Sequence, residues 1–424
     1  MAVNATAVWR VRPSGSNTNG GGYDAGIAGA ATDYSRQNAA QASGTNGAGS
    51  ATTTFTDTTA NAFTSAMVGN CINIAGQGFY FVVTFTDAGH VVVDRALGTF
   101  SGASWSLGGG WADFFTNTTA TVAALVPGNI VYILGSGIPN PASYTYDYTM
   151  GASFAPASGD AVNGFITYAN DPSTPSYKAY PDTTGGMPVI KLGSTRGFGT
   201  STFNYLKLEG LWFVASTGAS IVIISNGSNP NLMLGCILDQ FGFGAAIVNG
   251  SVCSLFGCEI FSSVANTLQS DYAVSGPFIS TIIGCNFHDC VTNAVKLDLR
   301  TTMINTIVAK NEGTGITIVG LDTKVVNCTI DGNSSSGLIF NTQAILNGAA
   351  VFNNIISNHA TAATFGMTVS AGTTAQNDLV KSFVDYNVFY NNNADLNAIS
   401  YGPHDTHGGS NPYVGQATEN YTLA

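Results

Sequence analysis

Three ionisable side chains alternate with apolar ones between residues 295 and 300: Lys296, Asp298 and Arg300. If this segment is a β-strand, strict alternation places these three on its outer face and Val295, Leu297 and Leu299 inward. The outer face would then carry a cation–anion–cation row with about 6.6–7 Å between successive groups. Such a row suits a uronate or a sulfated glycan. The alternative is a solvated strand whose neighbouring charges neutralise each other.

A second alternating segment is aromatic. Tyr144, Tyr146 and Tyr148 occupy every other position, which would place three phenol rings on one face of a strand. Aromatic rings stack on sugar rings and tyrosine adds a hydroxyl group, but the same residues also favour protein–protein contacts. The sequence leaves both uses open. These tyrosines and the charged row are the candidate carbohydrate-binding residues, and no catalytic residue, metal ligand or cofactor is predicted.

A repeat with a mean period of about 25 residues must position these groups. In its most regular column a small or amide residue is followed two positions later by a large apolar one: Gly210, Cys236, Cys258, Cys285, Asn305, Cys328, Asn354 and Asn387. The connecting segments vary in length and lack helical periodicity, which favours a parallel β-helix over a leucine-rich repeat. Stacked coils place equivalent residues about 4.8 Å apart, so the pattern predicts an Asn ladder and buried, packed cysteines.

The composition excludes several classes of protein. Only 9% of the 424 residues are charged, against about 25% in an average protein, and 11% are aromatic, which argues against disorder. No run approaches the roughly 18 apolar residues of a membrane-spanning helix, so no membrane insertion is expected. The net charge of −11 and the dispersed Lys and Arg argue against nucleic-acid binding. No secretory signal is visible at the start of the sequence.

Several segments resemble a known family. Residues 127–133 read Pro-Gly-Asn-Ile-Val-Tyr-Ile and resemble the first coil of right-handed parallel β-helix proteins of the pectate-lyase-like superfamily, with Asn129 in place of the usual Asp. Segments 165–169 and 205–211 resemble the coils that follow. The opening, 9–23, is similar to the openings of β-helix proteins of bacteriophages and some bacteria. The resemblance implies an all-β protein: a right-handed parallel β-helix over 121–424, preceded by a small β-rich attachment or capping module over 1–120.

The family also implies enzymatic alternatives. Its lyases remove a proton next to a uronate carboxylate with a Lys or Arg base and usually a bound Ca²⁺, and its hydrolases use grouped carboxylates. The repeat brings Glu259 and Asp289 nearest to such a pair. A polysaccharide lyase or glycoside hydrolase is therefore one alternative function.

Two histidine-containing segments have residue types that bind metals or activate nucleophiles. His404-Asp405-Thr406-His407 would need a third or fourth ligand to hold zinc, so a turn is the simpler interpretation. His288-Asp289-Cys290 continues a strand, and Cys290 falls where another coil has Asn333, which also favours a turn.

The leading functional hypothesis is a phage virion-associated structural or adhesion protein, of the tailspike, fibre or capsid-decoration type. Its partners would be other virion proteins at the N-terminal module, and a cell-surface glycan. By analogy the chain would form a homo-oligomer, with a trimer as the first expectation. The location would be the virion, and the alternative is a bacterial cell-surface or extracellular matrix protein.

Overall fold

The computed structural model describes residues 4–113, 125–135, 147–150, 157–173, 186–192, 204–215, 222–224, 230–239, 247–249, 253–261, 272–275, 279–291, 293–341, 348–359, 361, 364–369, 383–397, 399–400, 402–408, 410–415 and 420–423. The chain divides into two compact units, 1–191 with 203–212, and 192–202 with 213–424. In the described residues the regular structure is β-strand apart from two short 3-10 helices, Tyr34–Arg36 and Ser65–Met67. Neither helix is long and apolar enough to cross a membrane.

The first unit contains a closed barrel and the first coils of a parallel β-helix. Its described strands are β1 (Val8–Val11), β2 (Gly22–Tyr23), β3 (Ala42–Ser50), β4 (Thr54–Thr56), β5 (Cys71–Ile74), β6 (Gly78–Asp87), β7 (His90–Val93), β8 (Thr99–Leu107), β9 (Ile130–Ile133), β10 (Tyr148–Thr149), β11 (Ile166–Asn170), β12 (Val189–Leu192) and β13 (Leu206–Glu209). Strands β3 to β8 close the barrel in the order β3-β4-β7-β6-β5-β8. Strands β9, β11 and β13 pair in parallel, as consecutive coils require.

The barrel core is aromatic. The Trp105 ring stacks on Phe63 with centroids 4.8 Å apart, and Phe55 meets Trp105 edge to face. The indole nitrogen of Trp105 donates to the Asp57 carboxylate at 2.8 Å, so its polar atom is satisfied inside the core. The apolar alternation of β5, β6 and β7 is visible in the sequence. Strands β3 and β8 are rich in Gly, Ser and Ala and do not show it.

Strand β1 is part of the β-helix. It pairs in parallel with β9, Val8 opposite Ile130. The buried guanidinium of Arg10 donates to Asp171 at 2.5 Å, which fixes the strand to the loop after β11. Trp9 donates its indole N–H to Asn129 Oδ1 at 3.0 Å, while Asn129 Nδ2 donates to the backbone oxygen of Asn4. An Asp at this position could accept the first bond but not donate the second. The boundary near 120 falls in 114–124, outside the described residues, and stays a prediction.

The second unit consists of β-helix coils with three parallel sheets. The first sheet contains β16 (Asn231–Leu234), β19 (Cys253–Phe256), β22 (Ile279–Ile283), β25 (Thr302–Ile304), β28 (Lys324–Val326), β31 (Ala350–Phe352) and β34 (Phe383–Asp385). The second contains β14 (Trp212–Ala215), β17 (Ile237–Asp239), β20 (Glu259–Phe261), β23 (Asn286–His288), β26 (Ile307–Ala309), β29 (Thr329–Asp331), β32 (Ile355–Ser357), β35 (Val388–Tyr390) and β37 (Thr406–His407). The third contains β15 (Val222–Ile224), β18 (Ile247–Asn249), β21 (Tyr272–Ser275), β24 (Asn293–Leu297), β27 (Ile316–Ile318), β30 (Leu338–Phe340), β33 (Phe365–Val369) and β36 (Ala394–Asn397). An antiparallel pair, β38 (Tyr413–Gly415) with β39 (Asn420–Leu423), follows. The predicted fold class is confirmed.

The predicted column of small residues exists inside these coils, with two displaced members. Gly210 was the wrong assignment for its coil, since it occupies the turn position with φ +61° and Leu211 precedes β14. The residue that precedes each of the strands β17, β20, β23, β26, β29, β32 and β35 is buried: Cys236, Cys258, Cys285, Thr306, Cys328, Asn354 and Asn387. Asn305 was the wrong assignment for its coil, since it occupies the preceding turn position with φ +50°. The Asn ladder is present, with Asn354 Nδ2 donating to Asn387 Oδ1 at 3.0 Å. All seven cysteines are buried, and none of them forms a disulfide bond.

A second internal ladder follows the second sheet. Asn311 Nδ2 donates to Asn333 Oδ1 at 2.7 Å, Asn333 Nδ2 donates to His359 Nε2 at 3.3 Å, and His359 Nδ1 donates to Asn392 Oδ1 at 2.9 Å. Burial lowers the pKa of His359 to about 4, although the bond to Asn392 acts to raise it. His359 is therefore neutral at pH 7, and its hydrogen-bond partners determine which nitrogen carries the proton.

Candidate functional site

The charged row predicted at 295–300 does not form. Strand β24 ends at Leu297, so only Lys296 stands on its outer face. Asp298 belongs to the following turn, where its carboxylate accepts the N–H of Leu299, and Arg300 adopts φ +57°. Leu299, expected inward, is 38% exposed. The alternation fails because the strand is too short to carry three outward positions.

Lys296 also has few polar neighbours on its own sheet. In register, it lies beside Thr317, which is followed by Ile339 and Thr368 in the next coils. The next three coils therefore add no charge to this face. A uronate would meet a single lysine there.

The tyrosine platform is wrong at the position that can be assessed. Tyr148 is 4% exposed, and its hydroxyl donates to the backbone oxygen of Leu134 at 2.8 Å and lies 3.3 Å from that of Val11. It is a core residue of the first unit and cannot stack on a ligand. Tyr144 and Tyr146 lie outside the described residues.

Glu259 and Asp289 do approach each other, through a histidine between them. His288 Nε2 donates to Glu259 Oε1 at 2.9 Å and Nδ1 donates to Asp289 Oδ2 at 2.8 Å. The ring also stacks on Phe261 at 5.0 Å. Register explains the meeting, because Phe261 lies opposite His288 in neighbouring strands of the second sheet.

In the cluster of Glu259, His288 and Asp289 the histidine carries a positive charge and cannot act as a general base. Burial acts to lower the pKa of His288, but its hydrogen bonds to Asp289 and Glu259 and their negative charges raise it to about 9. The imidazole is therefore protonated at pH 7 and donates from both nitrogens, which leaves no lone pair to accept a proton. The neighbouring thiol of Cys290 is fully buried, and burial raises its pKa, so it is no nucleophile.

A different cluster lies exposed at the end of the first sheet. His404 Nδ1 donates to Asp385 Oδ2 at 2.8 Å, and the His404 backbone N–H donates to Oδ1 of the same carboxylate at 2.7 Å. The Tyr386 ring stacks on the His404 ring with centroids 4.4 Å apart and planes 6° from parallel. Burial acts to raise the pKa of Asp385, but the bonds from His404 and Tyr386 lower it. The carboxylate thus positions the imidazole, and Nε2 is the ring nitrogen that a ligand would meet.

Tyr386 has a positive φ at a turn position where the preceding coils have Gly or Asn. The equivalent turn positions of the preceding coils all have positive φ and are Gly235, Gly257, Gly284, Asn305, Asn327 and Asn353. Tyr386 has φ +60°, although a bulky side chain rarely adopts this region. Its N–H donates to Asp385 Oδ1 at 2.9 Å, which helps to hold the turn. Strained residues that persist in a regular repeat are often functional.

Phe383 extends the exposed aromatic surface. It is the first residue of β34, and Tyr386 is the first residue beyond the end of that strand. Both are 51% exposed, whereas the other large apolar residues of the described chain are mostly buried. Phe352, on the adjacent strand, supports the Phe383 ring edge to face at 5.7 Å. We call Phe383, Tyr386 and His404 the aromatic site.

The segment 404–407 does not gather its side chains toward one point. His404 is bound to Asp385, whereas Asp405 Oδ1 accepts the backbone N–H of Asn387 at 2.7 Å and ends the Asn ladder. His407 is exposed on β37. The interpretation of this segment as a turn is confirmed at residues 403–404, and the short strand β37 follows.

Comparisons with known proteins assign no family. No protein-family model matches the chain, and no curated protein matches it. Among solved structures, the A-module of the mannuronan C-5 epimerase AlgE4 from Azotobacter vinelandii is 11% identical, with 66% of this chain and 91% of that chain covered and a TM-score of 0.27. The catalytic unit of a GH87 α-1,3-glucanase from Streptomyces thermodiastaticus strain HF3-3 is 10% identical, with 88% and 86% covered and a TM-score of 0.26. At this distance they indicate no activity, and the fold rests on the strand pairing described above.

Proposed function

We propose that this protein is a glycan-binding scaffold that recognises its ligand at the aromatic site. The observation that carries the proposal is Tyr386, which is half exposed in a strained turn and stacked on a histidine that Asp385 orients. Aromatic rings bury the apolar faces of sugars, and an adjacent imidazole can hydrogen-bond a sugar hydroxyl. No catalytic base is needed for this role.

The ligand is expected to be a neutral glycan. The carboxylate of Asp385, beside the aromatic site, already accepts bonds from His404 and Tyr386. The whole chain carries a net charge of −11, so it repels polyanions at long range. Lys296, the cation expected to bind uronates, lies in the third sheet rather than beside this site.

The test is binding of the purified full chain to an array of neutral and acidic glycans, followed by calorimetry on the strongest ligand. Tyr386→Asn removes the ring and installs the residue that other coils use at this turn, so the fold should be kept. We expect binding to weaken about tenfold, since the exposed half of an aromatic ring contributes about 1–2 kcal/mol when buried. Phe383→Ala should have a similar effect.

The control is Val162→Ala, which alters an exposed apolar side chain of the first unit. It should leave the affinity unchanged. Equal binding by the wild type and the Tyr386→Asn variant would exclude the aromatic site. Turnover of any glycan, seen as new reducing ends or absorbance at 235 nm, would instead establish the lyase or hydrolase alternative.

We further propose that the scaffold is a component of a phage virion, attached to other virion proteins through residues 1–120. The support for this role is the similarity of segment 9–23 to the openings of phage β-helix proteins. Immunogold electron microscopy with antibodies against the purified chain tests it. Labelling of phage particles is the expected result, and labelling of bacterial envelopes alone would favour the cell-surface alternative.

A further inference from the structure

An apolar row runs along the outer face of the first sheet in the second unit. Six residues that lie opposite one another in consecutive strands point outward, and none of them is polar: Leu234, Phe256, Ile283, Ile304, Val326 and Phe352. The inward neighbours, such as Leu255 and Val325, already form the core of the coils. At about 4.8 Å per coil the apolar row is about 24 Å long.

Every member of the apolar row is half-buried. In a ladder the neighbours above and below cover two sides of each side chain, so the remaining exposure lies at the outer edge. Outward positions of a solvated sheet normally carry polar residues, because one face of a strand is buried and the other meets water. A row of six apolar side chains on the solvent side is therefore a candidate contact surface.

The positions beside the apolar row carry almost no charge. On one side are the turn residues Gly235, Gly257, Gly284, Asn305, Asn327 and Asn353. On the other side are Leu232, Ser254, Thr281, Thr302, Lys324 and Ala350. These three rows of six hold eighteen residues, of which Lys324 alone is charged. A soluble surface usually carries about 25–35% charged residues.

We propose that this face contacts a second copy of the chain. Each copy has a net charge of −11, so two copies repel each other at long range. A face without carboxylates is the part of the surface on which two copies can approach with the least repulsion. The side chains of the apolar row repeat at the coil spacing of about 4.8 Å. The same row on a second copy has the same spacing, so the two rows can pack against each other along their length. Eighteen residues also approach the roughly 20–30 that each partner contributes to a standard interface.

Sedimentation equilibrium of the full chain over a hundredfold range of concentration tests the proposal. The wild type should self-associate, more strongly at high salt because salt screens the net charge. Ile283→Lys places a charge in the apolar row without entering the core, and should raise the dissociation constant at least tenfold. Val326→Thr, which preserves shape and adds a hydroxyl, should give a smaller change in the same direction.

Ile339→Lys is the matched control. Ile339 is also an outward, half-buried isoleucine, but it lies on β30 of the third sheet. The Ile339→Lys variant should self-associate like the wild type. A wild type that is monomeric at every concentration, or equal losses in the Ile283 and Ile339 variants, would overturn the proposal. Circular dichroism of each variant shows that the fold is intact, and Val326→Thr decides the matter if a lysine variant fails to fold.

Discussion

Replacing His288 by Gln should remove a contribution to stability that depends on pH. The ring is protonated in the folded chain and donates to Glu259 and Asp289. Its pKa is about 9 when folded, against 6.5 for an ordinary histidine. Since the folded pKa is the higher one, the contribution is complete below pH 6.5 and disappears as the pH rises through 9. A difference of this size corresponds to about 3 kcal/mol.

The assay is equilibrium unfolding in urea at pH 6 and at pH 10, for the wild type and the His288→Gln variant. The first unit contains Trp9, Trp105 and Trp111 and ends at Trp212, the first residue of β14, so tryptophan fluorescence reports mainly on that unit. Far-ultraviolet circular dichroism follows the strands of both units and is therefore the signal used. At pH 6 the wild type should be more stable by up to about 3 kcal/mol, and at pH 10 the two proteins should converge. Cysteines and tyrosines titrate in both proteins, so their effects cancel in the difference.

Val162→Ala provides the control, because it changes an exposed side chain without a titratable group, so any effect on stability should be the same at pH 6 and pH 10. A stability difference between the wild type and His288→Gln that is the same at pH 6 and pH 10 would refute the reasoning. It would mean that the histidine stabilises the fold by packing against Phe261 and not by its charge.

Two further predictions concern the internal ladders. Because the folded pKa of His359 is lowered to about 4, its contribution to the free energy of unfolding is complete above pH 6.5 and is lost as the pH falls toward 4. A protonated ring would carry a proton on Nε2, which would then point at the N–H group of the Asn333 amide that it accepts from at neutral pH. His359→Asn, which restores the residue of the neighbouring coils, should remove this acid sensitivity, and thermal unfolding at pH 4.5 and pH 7 would show whether it does. Asn354→Ala removes the side-chain donor to Asn387 Oδ1 and leaves the buried backbone N–H of Cys328 without the Asn354 Oδ1 that accepts it. It should lower the free energy of unfolding by about 1–3 kcal/mol, and a loss below about 0.5 kcal/mol would contradict the ladder.

Asn305, a displaced member of the Asn and Cys column, shows that the repeat alone does not determine which of two neighbouring residues faces the core. Asn305 and Thr306 are neighbours, and asparagine suits both an internal ladder and a turn with positive φ. The sequence contained no means of choosing between them. Hydrogen-bond register decides, since Ile307 pairs with Asn286 and therefore aligns Thr306 with Cys285.

The candidate site depended even more on register. A search by residue type and alternation selected Lys296, Asp298 and Arg300, and it failed because β24 ends after Leu297. The aromatic site has a weak sequence signal: once the coils are aligned, Tyr386 is the one aromatic residue in a column of Gly and Asn. Its partner His404 lies a full coil further along the chain, in a histidine-containing segment that stands out in the sequence but does not indicate Asp385 as its neighbour.

The sequence by itself determined the all-β fold, the stacking of coils and the buried cysteines. These features depend on the repeated apolar residues, which must be buried whichever residues pair between neighbouring strands. Tertiary structure decided which ionisable groups meet. Coil lengths vary, so spacing along the chain does not state which side chains become neighbours, and the pairing of strands does. Glu259 and His288 come from adjacent coils, as do Asp385 and His404, and each pair is joined only when those coils stack in register.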